Sequence, residues 1–88
     1  MSRAWDFARR ELVAEGETLH RAEQQGPFVA ALIELTDGGY AIRVGQPAVI
    51  EQGRKTELPL VTTIGPWGTA GYSKAAGRFN KLIDEDLS

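Results

Sequence analysis

Residues 28–44 constrain the fold more tightly than any other part of the chain. Two apolar runs, 28–36 and 40–44, are separated by Asp37-Gly38-Gly39. Such runs on either side of a glycine pair are the signature of a β-hairpin. With Gly38 and Gly39 at the two turn positions, Leu35 faces Ile42, Ile33 faces Val44, and Glu34 faces Arg43 on the other side of the sheet. A three-residue loop over Asp37, Gly38 and Gly39 instead sets Ile33 opposite Arg43 and puts a charge on the core face, so the two-residue turn is expected. Moving that turn to Asp37 and Gly38 keeps the same faces.

Residues 1–26 read as an amphipathic helix, with Ser2 as N-cap and Gly26-Pro27 as the stop. Trp5, Ala8, Leu12, Leu19 and Ala22 fall on one stripe at about 100° per residue. Asp6 with Arg10 and Glu17 with Arg21 are acid-before-base pairs four apart on the solvated side. Gly16 interrupts the stripe and marks a bend, a break or a close backbone approach. Phe7 lies opposite the stripe. It either packs beneath a neighbouring segment or stands exposed as an aromatic anchor for a partner.

After the hairpin, residues 47–51 and 58–64 read as a second strand pair joined by a polar tip that carries Arg54 and Lys55. Pro59 assigns its strand to an edge. From Tyr72 to Leu87, apolar residues recur at three- and four-residue steps, the pattern of a helix. Asp84, Glu85 and Asp86 fall at its C-terminal end, where the helix dipole disfavours negative charge. The expected architecture is α+β: one globular domain over residues 1–88, an antiparallel sheet of three to four strands, and an N-terminal and a C-terminal helix packed on one face. Ile33, Leu35, Ile42 and Val44 would then meet both helices, leaving the Glu34 and Arg43 face wet or bound by a partner.

Composition narrows the function. A chain of 88 residues with 42% apolar content builds one core and no second domain. It has no cysteine and a single histidine, His20, which leaves no disulfide framework and no ligand set for structural zinc. No apolar run has membrane-span length, and Arg3, Asp6, Arg9 and Arg10 break up any secretory leader, so a cytoplasmic location is expected. A net charge of −2 is too small for strong non-specific attraction to phosphate backbones.

The most unusual stretch, residues 64–71, holds Gly65, Gly68 and Gly71 around Trp67 and leads into the last helix. Its glycine spacing matches neither a Walker loop nor a dinucleotide fingerprint, and a bare anion site at the helix start is the remaining ligand reading. Otherwise the loop returns the chain from sheet to helix, with Trp67 either folded over the end of the core or exposed as a binding anchor. No nucleophile, base and orienting group come together, and His20, on the flank of the predicted first helix, reads as a surface residue.

The expected function is therefore a non-enzymatic protein-binding module without metal or cofactor. It would act on a larger protein or protein–nucleic-acid complex as inhibitor, adaptor or subunit. This physical type includes inhibitors of nucleic-acid-handling complexes encoded by phages and other mobile elements. Trp67, Phe7, Arg43, Arg54, Lys55, Asp84, Glu85 and Asp86 are the candidate contact residues. The acids would compete for a basic groove, and a homodimer through an open sheet edge is a further expectation. The alternative is a weak, structure-selective nucleic-acid binder using Arg43, Arg54, Lys55, Lys74 and Arg78, with Tyr40 or Trp67 stacking on bases.

Overall fold

β2 (Phe28–Glu34) is the strand on which the molecule is built, and its Val-Ala-Ala-Leu-Ile run is buried on both faces. A strand with an uninterrupted apolar run needs cover above and below. In the computed structural model, which describes residues 3–51 and 61–86, two helical segments supply it. The sheet is a four-stranded antiparallel meander in the order β1 (Thr18–Gln25), β2, β3 (Tyr40–Gly45), β4 (Val61–Trp67). Helix α1 (Arg3–Phe7), continued by a π-helical turn Ala8–Leu12, covers one face, where Ala4, Phe7, Ala8 and Leu12 meet Val29, Ala31 and Ile33. Helix α3 (Tyr72–Lys81), continued as a π-helical turn Leu82–Asp86, covers the other, where Ala75, Phe79 and Leu82 meet Ala30, Leu32 and Ile42. The α+β fold with a helix at each end of the chain is thus present, but the two helices lie on opposite faces rather than one.

The reason is the register of the central hairpin. The ladder pairs Ile33 with Ala41, Leu32 with Ile42 and Ala31 with Arg43, and it closes through Leu35 N donating to Gly39 O at 2.7 Å. The loop is therefore Thr36-Asp37-Gly38, not Gly38-Gly39. Gly38 N donates to Leu35 O at 3.0 Å and Gly39 N to Asp37 Oδ1 at 2.8 Å, so the loop satisfies its own polar groups. Relative to the expected register, the faces change: Ile33 turns to α1, while Ile42 and Val44 turn to α3. Glu34 pairs with Tyr40 instead of Arg43.

The helix expected over residues 1–26 ends at Leu12. Ala14 to Glu17 forms a turn, with Gly16 at φ +85°. Residues 18–25 then form the edge strand β1, pairing with β2 from Thr18↔Glu34 to Gln25↔Phe28. Gly26-Pro27 joins two strands, and Gly26 takes the left-handed φ of +57° that the two-residue reversal needs. Leu, Ala, Glu and Gln are good helix formers, but propensity differences amount to only tenths of a kcal/mol per residue (~0–0.7) and pairing along β2 outweighs them. Leu19 and Ala22 do pack on the α1 side, but from the sheet.

Residues 47–51 form not a strand but a short helix, α2 (Pro47–Glu51), because proline is pre-set for a first helical turn. Val49 N and Ile50 N both donate to Gln46 O at 3.1 Å. β3 pairs directly with β4, Ile42 opposite Ile64 and Tyr40 opposite Trp67. β4 thus runs three residues into the expected loop. Ser2, Arg54, Lys55, Pro59 and Leu87 lie outside the described residues. Among those described, no helix is long and apolar enough to cross a membrane.

Candidate interaction surface

Where β1, β2, β3 and α3 come together at one end of the sheet, four polar or aromatic side chains meet on the α3 side. β1 carries a bulge between Leu19 and Arg21, so His20 leaves the ladder and turns toward its neighbours. His20 Nε2 lies 2.9 Å from Glu34 Oε1, at the end of β2. Its ring centroid is 5.9 Å from that of Tyr40, the first residue of β3, and 5.9 Å from that of Tyr72, the first residue of α3. Tyr40 and Tyr72 pack edge to face at 5.3 Å. Tyr72 remains 45% exposed, the one large hydrophobic side chain open to solvent among the described residues. Each ring holds the others in place, so little side-chain freedom remains to be lost on binding.

The patch continues along α3. Arg21 lies 4.7 Å above the Phe79 ring and donates from Nη1 to Asn80 Oδ1 at 2.7 Å. The pair expected between Glu17 and Arg21 is absent because each has another partner. On the far side of Tyr40, Trp67 packs partly buried against the α3 core. A Cβ on Gly71 would come within 2.6 Å of Trp67 Cβ, and one on Gly65 within 2.8 Å of its ring. The glycines therefore make room for the indole. This is the folded-over placement of Trp67.

The other candidate residues are dispersed. Phe7, 4% exposed, is a core residue and cannot anchor a partner. Arg43, brought to the α1 face by the register, donates from Nη2 to Glu17 Oε2 at 2.8 Å and from Nη1 to Leu12 O at 2.8 Å. Arg43 Nη1 also donates to Glu17 Oε1, which accepts from Ala14 N at 2.7 Å as well. The hydrogen bond from Arg43 lowers the Glu17 pKa and raises that of Arg43. Placing Arg43 on the Ile33 face, the objection to the three-residue loop over Asp37, Gly38 and Gly39, is thus answered here by an acid from the α1–β1 turn that neutralises the charge. Asp84 is exposed in the last turn, which Glu85 and Asp86 complete. A groove of about 370 Å³ beside α1 is lined by Arg3, Asp6, Arg10 and Gln24, two positive charges against one negative. Among the described residues no three His, Asp or Glu groups converge as metal ligands.

Sequence reading missed the combination of His20, Glu34, Tyr40 and Tyr72. The available signal was an aromatic at the first position of both β3 and α3; the bulge that adds His20 has no sequence marker. Compared with known proteins, the chain matches no family model, no curated protein and no solved structure.

Proposed function

We propose that this protein is a non-enzymatic binding module that engages a larger macromolecular partner, as inhibitor, adaptor or subunit, through the His20–Tyr40–Tyr72 surface. The observation that carries the reading is the exposed Tyr72 ring, held edge-on by Tyr40 and His20. Rigid aromatics flanked by arginine dominate the binding energy of protein interfaces because they bury much area at little entropic cost. Arg21, fixed over Phe79 and bonded to Asn80, supplies that flanking guanidinium. Both sheet faces are covered by the protein's own helices, so recognition falls to such end and edge surfaces.

The test is affinity capture from the native host with three immobilised proteins: wild type, Tyr72→Ala, and Arg9→Ala as a control at an exposed position in the turn Ala8–Leu12. The reading requires one stoichiometric protein partner that wild type and Arg9→Ala retain and Tyr72→Ala loses. Equal recovery by all three removes the surface from consideration. Gel retardation of nucleic acid at low salt, lost in Lys74→Glu but kept in Tyr72→Ala, would favour the nucleic-acid alternative.

A further inference from the structure

Of the two sheet edges, β4 is broken by a register shift between Ile64 and Trp67 and by Pro66, which has no N–H to offer. β1 is regular beyond its bulge: residues 21–25 pair without a break from Arg21↔Leu32 to Gln25↔Phe28. Because the turn at Gly26-Pro27 closes that ladder, Gln25 and Phe28 form a hydrogen-bonded pair, and by alternation so do Glu23 with Ala30 and Arg21 with Leu32. The main-chain N–H and C=O groups of Ala22 and Gln24 therefore point outward, and no described residue takes them. Arg21 lies on the α3 face, bonded to Asn80. Glu23, two residues on, projects to the same face, exposed and with no hydrogen-bond or ion-pair partner among the described residues. Ala22, between them, faces the α1 core.

We infer that β1 pairs with β1 of a second copy, antiparallel about a two-fold axis at Ala22, joining two four-stranded sheets into one. In that register Arg21 stands opposite Glu23 of the second copy, and Glu23 opposite Arg21 of the second copy. Charged side chains on an edge ordinarily discourage pairing. Here they are of opposite sign and symmetric about Ala22, so a second copy meets each charge with its complement. At the axis the two Ala22 residues exchange both main-chain hydrogen bonds. The neighbouring registers fail: an axis at Glu23 sets two carboxylates side by side, and an axis at Gln24 runs Ala22 against the turn at Gly26. The bulge at His20 ends the regular ladder, so the contact is short and shows itself at high protein concentration. α3 packs over β2, β3 and β4 and reaches β1 through Arg21, which leaves the outer side of β1 to the incoming strand. The axis is normal to the sheet, so both copies present their Tyr72 surfaces on one face. The pairing itself does not rest on the role given to Tyr72.

The test is sedimentation of the purified full chain over a concentration series reaching the millimolar range, with wild type, Arg21→Glu, Glu23→Arg and the double variant Arg21→Glu/Glu23→Arg. Wild type should pass from monomer to dimer. Each single variant turns both cross-strand pairs into like-charge pairs and should weaken self-association about tenfold or more, the equivalent of roughly 1.4 kcal/mol. Mixing the two single variants should restore a dimer, and the double variant should pair with itself but not with wild type. These recoveries are gains that a misfolded variant cannot produce. In the ¹⁵N-labelled wild type, hydrogen exchange at the Ala22 and Gln24 amides should slow as concentration rises, whereas Arg21, Glu23 and Gln25 are already protected by β2. The inference is overturned if wild type stays monomeric throughout, or if the single variants associate as tightly as wild type. It also fails if their mixture recovers nothing, or if concentration protects the amides of residues 61–67 instead.

Discussion

Replacing Arg43 with alanine should cost about 2–3 kcal/mol. The guanidinium bonds both oxygens of Glu17 and the Leu12 carbonyl, and the side chains of Arg43 and Glu17 are 20% and 9% exposed. A fully exposed ion pair contributes about 0–1 kcal/mol, whereas a hydrogen bond to a charged group contributes about 1.5–3. Partial exposure and the orphaned Glu17 carboxylate place the loss between one such bond and two. For a chain of this length that is a midpoint drop on the order of 10–20 °C. Urea titrations followed by circular dichroism on wild type, Arg43→Ala, Glu17→Gln and the double variant give the coupling, expected at about 1–2 kcal/mol. Glu17 has a lowered folded pKa, so its contribution is complete above the ordinary carboxylate value of 4.5 and disappears as pH falls through the lowered one. Wild type should therefore lose more stability than Glu17→Gln on acidification through that window. Arg43→Ala within about 0.5 kcal/mol of wild type, or parallel pH curves, would refute the view that this pair makes the register tenable.

Other consequences follow from packing. Phe79→Ala removes a fully buried ring from the α3 core and should cost about 3–5 kcal/mol in the same urea assay, enough to leave much of the chain unfolded. Gly39→Ala would set a Cβ 2.6 Å from Trp67 O, so β3 or β4 must shift; a loss of about 1–3 kcal/mol and altered Tyr40 and Trp67 amide shifts are expected. Tyr72→Ala, at a half-exposed position, should leave stability within about 1 kcal/mol of wild type while abolishing partner capture.

Much of this fold was written locally, and what misled was the balance between local preference and long-range pairing. The strands at Phe28 and Tyr40 and the helix from Tyr72 announce themselves through apolar period and turn residues. Residues 18–25, with Leu, Ala, Glu and Gln at helical spacing, do not, because only β2 alongside makes them a strand. From sequence, a register that turns Arg43 to the Ile33 face carries the cost of a charge on the core face, and Glu17, from the α1–β1 turn, removes that cost. In this register every residue of β3 occupies the face opposite to the expected one, and the two helices lie on opposite sides of the sheet. A signal for the second layer was present nonetheless: five consecutive apolar residues from Val29 to Ile33 require cover on both faces. Trp67, a candidate by residue type, does border the candidate surface. Phe7, a candidate on the same ground, is core because α1 turns it inward.

The account rests on Tyr72 being where the protein touches its partner. A photo-crosslinking phenylalanine analogue can be placed at Tyr72 and, separately, at exposed Arg9, and both proteins irradiated in the cells that make the chain. The account predicts one discrete protein adduct from position 72 and none from position 9. Equal adducts from both positions, or an adduct at position 9 alone, would contradict it.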